Sequence, residues 1–331
     1  MKILVIGGTQ FVGRHFVAAA LGAGHEVTLF HRGKTNPGLF DGVEEVFGDR
    51  RTDIEKLDGS WDVVVDTCGY IPKDVDISAK HLKGKVGRYV FVSTTAVYRE
   101  LSKEGIDERG YLKTLEDPEL EELNRSTYGP LKTECEARVT AAFDHDVFIV
   151  RPGVICGPWD ATDRFTYWVS RVGRGGEVLA PEDPGAKVQL LDARDLAKWM
   201  VASIEKGRKG IFNATGPVMS FEEMLEACRR ATGSDAEFMW VSRKFMEATE
   251  IDEPSKMPLW NPEAKDRKAG IFAVDSSKAY AAGLECRPIE ESARDVWEWI
   301  EADAEHPWTV GLDLLEERQL LDRWEEFAND Q

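Results

Sequence analysis

The stretch Gly7-Gly8-Thr9-Gln10-Phe11-Val12-Gly13 follows the β-branched run Ile3–Ile6 and opens a pattern in which Phe11, Val12, Phe16 and Ala20 recur at helical spacing. A glycine-rich turn in that position constrains the fold strongly, because it marks a strand feeding a helix within a βαβ unit. Gly7 suits a backbone that enters positive φ, and Gly13 lets the helix approach the sheet closely. The free N–H groups at the helix start can receive a pyrophosphate. Position 10 departs from the usual glycine spacing: Gln10 stands there, and its side chain must fold aside or touch the ligand itself. The loop is therefore read as a dinucleotide site formed by Gly7, Thr9, Gln10, Phe11, Val12 and Gly13.

The alternation continues down the chain. Val27–Phe30, Val43–Phe47, Val63–Val65, Tyr89–Val92 and Val147–Val150 are short apolar runs separated by helical stretches. They predict an α/β, doubly wound parallel sheet of the Rossmann type. The continuous runs at 63–65 and 89–92 predict strands covered on both faces. A chain of 331 residues has length for about two domains. Past Pro152 strand-like runs thin out, amphipathic helical stretches such as Phe221–Ala231 and Ala293–Ile300 dominate, and nine of the ten tryptophans occur. The expected division is a dinucleotide domain over 1–152 and a smaller, mostly helical substrate domain over 153–331. A segment near 188–205 is allowed to return to the first domain. The acidic stretch 99–127 reads as a solvated surface insertion, helical in part, in preference to a lid.

Composition narrows the function classes. A net charge of −18 with 42% hydrophobic residues excludes a disordered acidic tail and argues against nucleic-acid binding by bulk charge. The five cysteines form no C-x-x-C pair, and no apolar run reaches the length of a membrane span. The N-terminal apolar run is too short for a signal peptide, so a cytoplasmic location is expected. His145 and His306 have no partners at ligand spacing, and no metal site is predicted.

The end of the second strand bears on cofactor choice. An acid there would accept hydrogen bonds from the adenosine ribose of NAD. The chain instead reads His31-Arg32-Gly33-Lys34. A guanidinium can bind a 2′-phosphate bidentately where a carboxylate would repel it, so NADP(H) is expected over NAD(H).

Tyr128-Gly129-Pro130-Leu131-Lys132 is the only Y-x-x-x-K spacing in the chain, and it opens a helix running to about Phe143. Positions i and i+4 share a helix face, so phenol and ammonium can converge on one point. A phenol titrates near 10, and bringing it toward 7 requires roughly 4 kcal/mol of differential stabilisation. A neighbouring ammonium helps supply that. Before this helix, Ser93-Thr94-Thr95-Ala96-Val97-Tyr98 ends the fifth strand, where a hydroxyl faces the ligand crevice.

With the glycine loop, the S-T-T-A-V-Y strand end, Y-x-x-x-K and Arg151-Pro152-Gly153 leading to Gly157-Pro158, the chain resembles extended short-chain dehydrogenases/reductases of the NAD-dependent epimerase/dehydratase family. Val274-Asp275-Ser276-Ser277-Lys278 and the Gly283–Pro288 stretch extend the likeness late in the chain. The resemblance implies Thr94 as catalytic hydroxyl, Tyr128 as acid/base and Lys132 as ribose-binding residue. It further implies cofactor contacts at His31, Arg32, Lys34 and Asp49, and substrate contacts at Thr95 and Arg164. The implied partner is a small, sugar-like molecule, and the implied assembly a homodimer. Thr95-Ala96 replaces the Asp-Glu that follows the catalytic Thr of sugar-nucleotide dehydratases, and Val154 stands where epimerases often carry Asn. The G-G-T-x-F-x-G loop and Gly24–Lys34 most resemble an atypical branch that includes chloroplast stem-loop RNA-binding proteins, which supplies the competing reading of a non-redox RNA- or nucleotide-binding protein.

Overall fold

The computed structural model describes residues 1–117, 119–144, 146–261, 269–303 and 305–329. His145 lies outside them. The chain runs through β1 (Lys2–Ile6), α1 (Phe11–Gly22), β2 (Glu26–His31), β3 (Glu44–Phe47), β4 (Trp61–Asp66), α2 (Pro72–Leu82), β5 (Val86–Val92), α3 (Tyr128–Ala142) and β6 (Val147–Pro152). It continues with β7 (Val154–Cys156), α4 (Arg164–Gly173), β8 (Glu177–Ala180), β9 (Lys187–Asp192), α5 (Ala193–Glu205) and β10 (Gly210–Ala214). Then follow β11 (Val218–Ser220), α6 (Phe221–Thr232), β12 (Glu237–Trp240), α7 (Arg243–Ala248), α8 (Ser277–Ala281), α9 (Ile289–Glu301) and α10 (Leu314–Asn329). These elements fall into two compact units, one of Met1–Gly153, Ala193–Gly216 and Val274–Glu285, the other of Val154–Asp192, Pro217–Ala273 and Cys286–Gln331.

The first unit is built on a seven-stranded sheet in the order β10-β6-β5-β4-β1-β2-β3, parallel at every pairing. All six strand runs read from the sequence lie in it. The seventh, β10, pairs with β6 in the register Ile211↔Ile149 and was not predicted. It is a half-buried run interrupted by Asn213, so its pattern alone does not mark a central-sheet strand. Helices cover both faces: α1 packs on α5, and α2 on α3. Ile3, Leu4, Val5, Val64, Val65 and Val90 are accordingly buried without alternation. Trp199 of α5 sits edge-on to Phe148 and Phe212, which fastens that helix to the β6–β10 end of the sheet. Because β1 and β4 are neighbours while β2 and β3 lie beyond β1, the strand order reverses at the β1/β4 junction. The C-terminal edge there is where a crevice opens in sheets of this kind.

The 99–127 stretch contains no helix among its described residues, contrary to the expectation of partial helicity. Clustered like charges, with Glu119, Glu121 and Glu122 in one run, disfavour a helix there. The chain is instead tied down by an isolated bridge between Tyr98 and Leu112, with Leu101, Ile106 and Leu112 packed on buried Val97 and Tyr98. The Glu108 carboxylate accepts the Asn213 backbone N–H at 2.8 Å. These ties give the segment an apolar anchor that its charge pattern conceals.

The second unit holds a three-stranded sheet, β11-β9-β7, and a two-stranded sheet, β12-β8. Helices α4, α6 and α9 pack together around Trp168, Phe221, Leu225 and Val296. Ser220 begins α6 with a reciprocal capping box to Glu223, and Gly233 ends it in the left-handed region, so this helix is bounded by local chemistry at both ends.

Candidate active site

The glycine loop is wound tightly. A Cβ on Gly7 would sit 2.6 Å from Thr67 Oγ1, and one on Gly13 would sit 2.9 Å from both Cα and N of Gly8. Helix α1 therefore starts against the loop backbone itself. Gln10 at its N-cap is extended and exposed, with no side-chain cap on the first turn, so the position of the expected glycine is filled by a side chain that turns outward. Phe11 follows at φ 35°, outside the usual range for a residue with a side chain. Thr9 is buried, and its carbonyl accepts Asn36 Nδ2–H at 3.0 Å. Uncapped amides at a helix start, behind a turn of two glycines at positive φ, fit a pyrophosphate.

At the end of β2 the His31 ring is buried rather than free. Its Nδ1 accepts the Gly33 N–H at 3.1 Å, its Nε2 lies 3.6 Å from Glu45, and Phe47 stands edge-on at 5.3 Å. Arg32 and Lys34 are exposed on the loop that follows. Half-buried Asp49 holds its own turn, accepting the Arg51 N–H at 2.9 Å.

The residues expected to transfer a proton lie on α3 and at the end of β5. Thr94 is buried at the strand end, where its Oγ1 accepts the Ala96 N–H at 3.1 Å and caps the single turn Thr95–Val97. Thr95 is half-buried beside it. Tyr128 begins α3 and is half-buried. Gly129 explains how helix and turn meet: a Cβ on it would lie 2.3 Å from the Ala96 carbonyl oxygen. Lys132, one turn along, is almost fully buried, and its Nζ donates to the carbonyls of Gly69 and Val92, both at 2.7 Å. Its ammonium also lies 4.0 Å from the Phe91 ring centroid and 5.5 Å from that of Tyr70. Burial pulls the lysine down to about 8, while Cys135, Asp66 and Glu136 draw it back toward the charged form.

Several supporting residues were not found from the sequence. Asp66, at the end of β4, is fully buried, takes a bidentate pair of hydrogen bonds from Arg50 at 2.9 Å each, and accepts the Tyr89 hydroxyl at 2.9 Å. Burial pushes its carboxyl up, but Arg50 outweighs this and holds it below the ordinary value. Glu136 is bonded by Ser93 Oγ at 2.5 Å and by Arg151 at 3.0 and 2.6 Å, and Arg151 reaches Tyr98 at 3.1 Å. Tyr70, whose ring centroid is 6.4 Å from that of Tyr128, is pushed up to about 12 by burial and by that neighbour. The one available signal was Tyr128, Lys132 and Glu136 at i, i+4 and i+8 on a single helix face.

Arg164 belongs to the second unit. It starts α4 and donates from Nε to Thr162 Oγ1 at 3.0 Å. Trp168 is core and Trp159 is partly exposed, while His306 pairs with Asp163 at 2.8 Å. No cluster of three metal-ligating side chains occurs among the described residues. Among the same residues no helix is long and apolar enough to cross a membrane.

The profile of the NAD dependent epimerase/dehydratase family matches residues 75–215, a segment that contains Thr94, Tyr128 and Lys132 and begins after the glycine loop. Through that segment the chain is similar to the NAD dependent epimerase/dehydratase family. Solved structures agree in fold. UDP-glucuronic acid 4-epimerase from Bacillus cereus is 17% identical with a TM-score of 0.67, covering 93% of this chain and 100% of that one. UDP-N-acetylglucosamine 4-epimerase from Methanobrevibacter ruminantium is 17% identical with a TM-score of 0.68, covering 91% and 98%. A curated relative, the chloroplast stem-loop binding protein of 41 kDa b from Arabidopsis thaliana, is 28% identical over 252 residues, which are 70% of this chain. The chain spans 63% of that relative's length. The Gly7–Gly13 loop and Lys132 are the residues that could hold a dinucleotide.

Proposed function

We propose that the protein is a nicotinamide-dependent oxidoreductase or epimerase acting at a C–OH/C=O carbon of a small, sugar-like substrate. What supports this reading is that Tyr128 and Lys132 lie one turn apart on α3, whose start packs through Gly129 on the Ala96 carbonyl beside the Thr94 strand end. Gly7, Thr9, Gln10, Phe11, Val12 and Gly13 would hold the dinucleotide, which supplies the hydride acceptor or donor when bound. Tyr128 gives or takes the proton of the substrate oxygen. The Lys132 ammonium favours the phenolate on the same helix face, and Thr94 donates a hydrogen bond to the oxygen as charge develops on it.

The test is reduction of added NAD(P)+ or of the bound dinucleotide, followed at 340 nm with UDP-glucose, UDP-N-acetylglucosamine and UDP-glucuronic acid. Tyr128→Phe is expected to keep cofactor affinity while losing about 10²–10⁴-fold in rate, the usual range for a lost acid/base. Full activity in that variant refutes the assignment. A dinucleotide retained through purification favours epimerisation, and one that exchanges at each turnover favours simple reduction.

For cofactor choice, exposed Arg32 and Lys34 in place of an acid support NADP(H), although the solved Bacillus cereus epimerase is described with NAD. Fluorescence titration is expected to give tighter binding of NADPH than of NADH, and equal affinities would remove the preference. The name of the Arabidopsis thaliana relative supports a second reading, stem-loop RNA binding, against which the net charge of −18 weighs. Salt-dependent binding of a stem-loop RNA would promote it.

A further inference from the structure

We propose that the buried Arg50–Asp66 pair is a positioning device for Lys132, fixing the 66–69 turn so that the Gly69 carbonyl, with that of Val92, holds the ammonium one helical turn from Tyr128. The inference rests on the acid/base reading above for its catalytic meaning, but not for its geometry. Asp66 Oδ1 accepts the Cys68 backbone N–H at 3.1 Å, which folds the chain back immediately after β4. The next residue, Gly69, then turns its carbonyl to Lys132 Nζ at 2.7 Å. The turn has little room to relax: a Cβ on Gly69 would lie 2.7 Å from Phe91 and Val75 and 2.9 Å from Asp66 Oδ2.

Arg50 occupies both Asp66 oxygens and also donates to Cys68 Sγ at 3.1 Å, so it grips two residues of the same turn. Tyr89 of β5 adds a third side-chain donor to the carboxylate. A planar fork against a carboxylate fixes orientation as well as charge, which a point-charge partner would not. The pair therefore links two sheet strands, β4 and β5, and the β4–α2 turn to a single carbonyl.

Lys132 is surrounded by groups whose charges bear on its proton. The turn contributes Asp66, Cys68 and Tyr70, α3 contributes Cys135 and Glu136, and β5 contributes the Phe91 ring. Glu136 is already engaged by Ser93 and Arg151, which leaves Asp66 as the carboxylate tied to the segment that binds the ammonium. Loss of the Asp66 charge removes a group that favours the protonated lysine, and loss of the turn removes one of its two acceptors. Both effects act in the same direction, toward easier deprotonation.

The experiment is an NMR titration of the lysine side chains in the full-length protein, with the Lys132 signal assigned by its disappearance in Lys132→Met. The midpoint is expected near 8 in the unaltered protein. Asp66→Asn is expected to lower it by about one pH unit, a tenfold change in proton affinity. Arg50→Lys, which keeps the charge but loses the fork and its contact with Cys68, is expected to lower it by about half as much, about 0.5 unit. Because Asp66→Asn strands a buried guanidinium, Arg50→Met/Asp66→Asn is measured beside it: it leaves no unpaired charge and still presents an amide oxygen to Cys68. A midpoint unchanged in the folded double variant overturns the proposal, even where Tyr128→Phe is inactive. A lowered midpoint together with full activity of Tyr128→Phe would instead keep the positioning role and sink only the acid/base reading.

Discussion

Gly129→Ala tests the contact on which the site depends. The added Cβ would meet the Ala96 carbonyl oxygen at 2.3 Å, the Ala96 carbonyl carbon at 3.2 Å and Lys113 Cδ at 3.0 Å. The lysine end can swing away, but the carbonyl belongs to the turn that Thr94 caps, so turn and helix must separate by about 1 Å to regain van der Waals distance. Overpacking of this kind costs about 1–3 kcal/mol. Replacing a helical glycine offsets about 0.5–1 kcal/mol of that, leaving a net loss of about 1–2 kcal/mol. At about 2–4 °C per kcal/mol the melting temperature is expected to fall by about 2–8 °C. The control is Gly22→Ala at the end of α1, where nothing lies within 4 Å of the new Cβ and the same offset acts alone, so the melting temperature should rise. Displacing Thr94 relative to Tyr128 by about 1 Å should also lower the hydride-transfer rate on the order of 10²-fold. Differential scanning calorimetry of both variants decides the matter. If Gly129→Ala melts at or above the unaltered protein and turns over at its rate, the contact does not organise the site.

Two further outcomes follow from the same interior. Lys132 titrates near 8 in the folded chain against its ordinary 10.5, so between those values the unfolded chain binds a proton that the native one does not. Native stability should therefore rise with pH through that window, by roughly 3 kcal/mol, and the penalty is fully present below it. Urea unfolding across pH 7–11 is expected to lose this rise in Lys132→Met, and an unchanged slope would refute the buried-ammonium account. Arg151→Met strands the buried Glu136 carboxylate and should destabilise by about 3–5 kcal/mol, whereas Arg230→Ala breaks only the exposed pair with Glu290 and should change stability by less than about 1 kcal/mol. Comparable losses in the two variants, read by the same unfolding assay, would contradict the ranking.

The strands that carry the crevice were legible because a parallel sheet covered on both faces writes itself as unbroken apolar runs. Ile3–Ile6, Val63–Val65 and Tyr89–Val92 need no partner sequence to be recognised. β10 was not legible, since it is short, carries a polar residue and joins the sheet through pairing with a strand more than sixty residues earlier. The 99–127 segment misled for the opposite reason. Its charges describe what faces water, while its attachment depends on Leu101, Ile106 and Leu112 meeting Val97 and Tyr98.

The proposed acid/base pair and its supports differ in the same way. Tyr128 and Lys132 lie four residues apart on one helix, so local geometry alone brings them to one face. Arg50 and Asp66 are separated by sixteen residues, and neither sits in a pattern that marks it: Asp66 ends an apolar strand, and Arg50 belongs to the polar run Gly48-Asp49-Arg50-Arg51. Only the β3–β4 connection, which crosses from the sheet edge to the far side of β1, brings them together, and only burial makes the pairing consequential, since the same two charges on the surface would be worth about 1 kcal/mol or less. The buried lysine reads the same interior through two neutral carbonyls, from Gly69 and Val92, which no side-chain motif can encode. A sequence motif can thus place a proton donor on a helix, but how readily its neighbouring ammonium gives up a proton is decided by backbone groups and by a buried ion pair contributed from other strands.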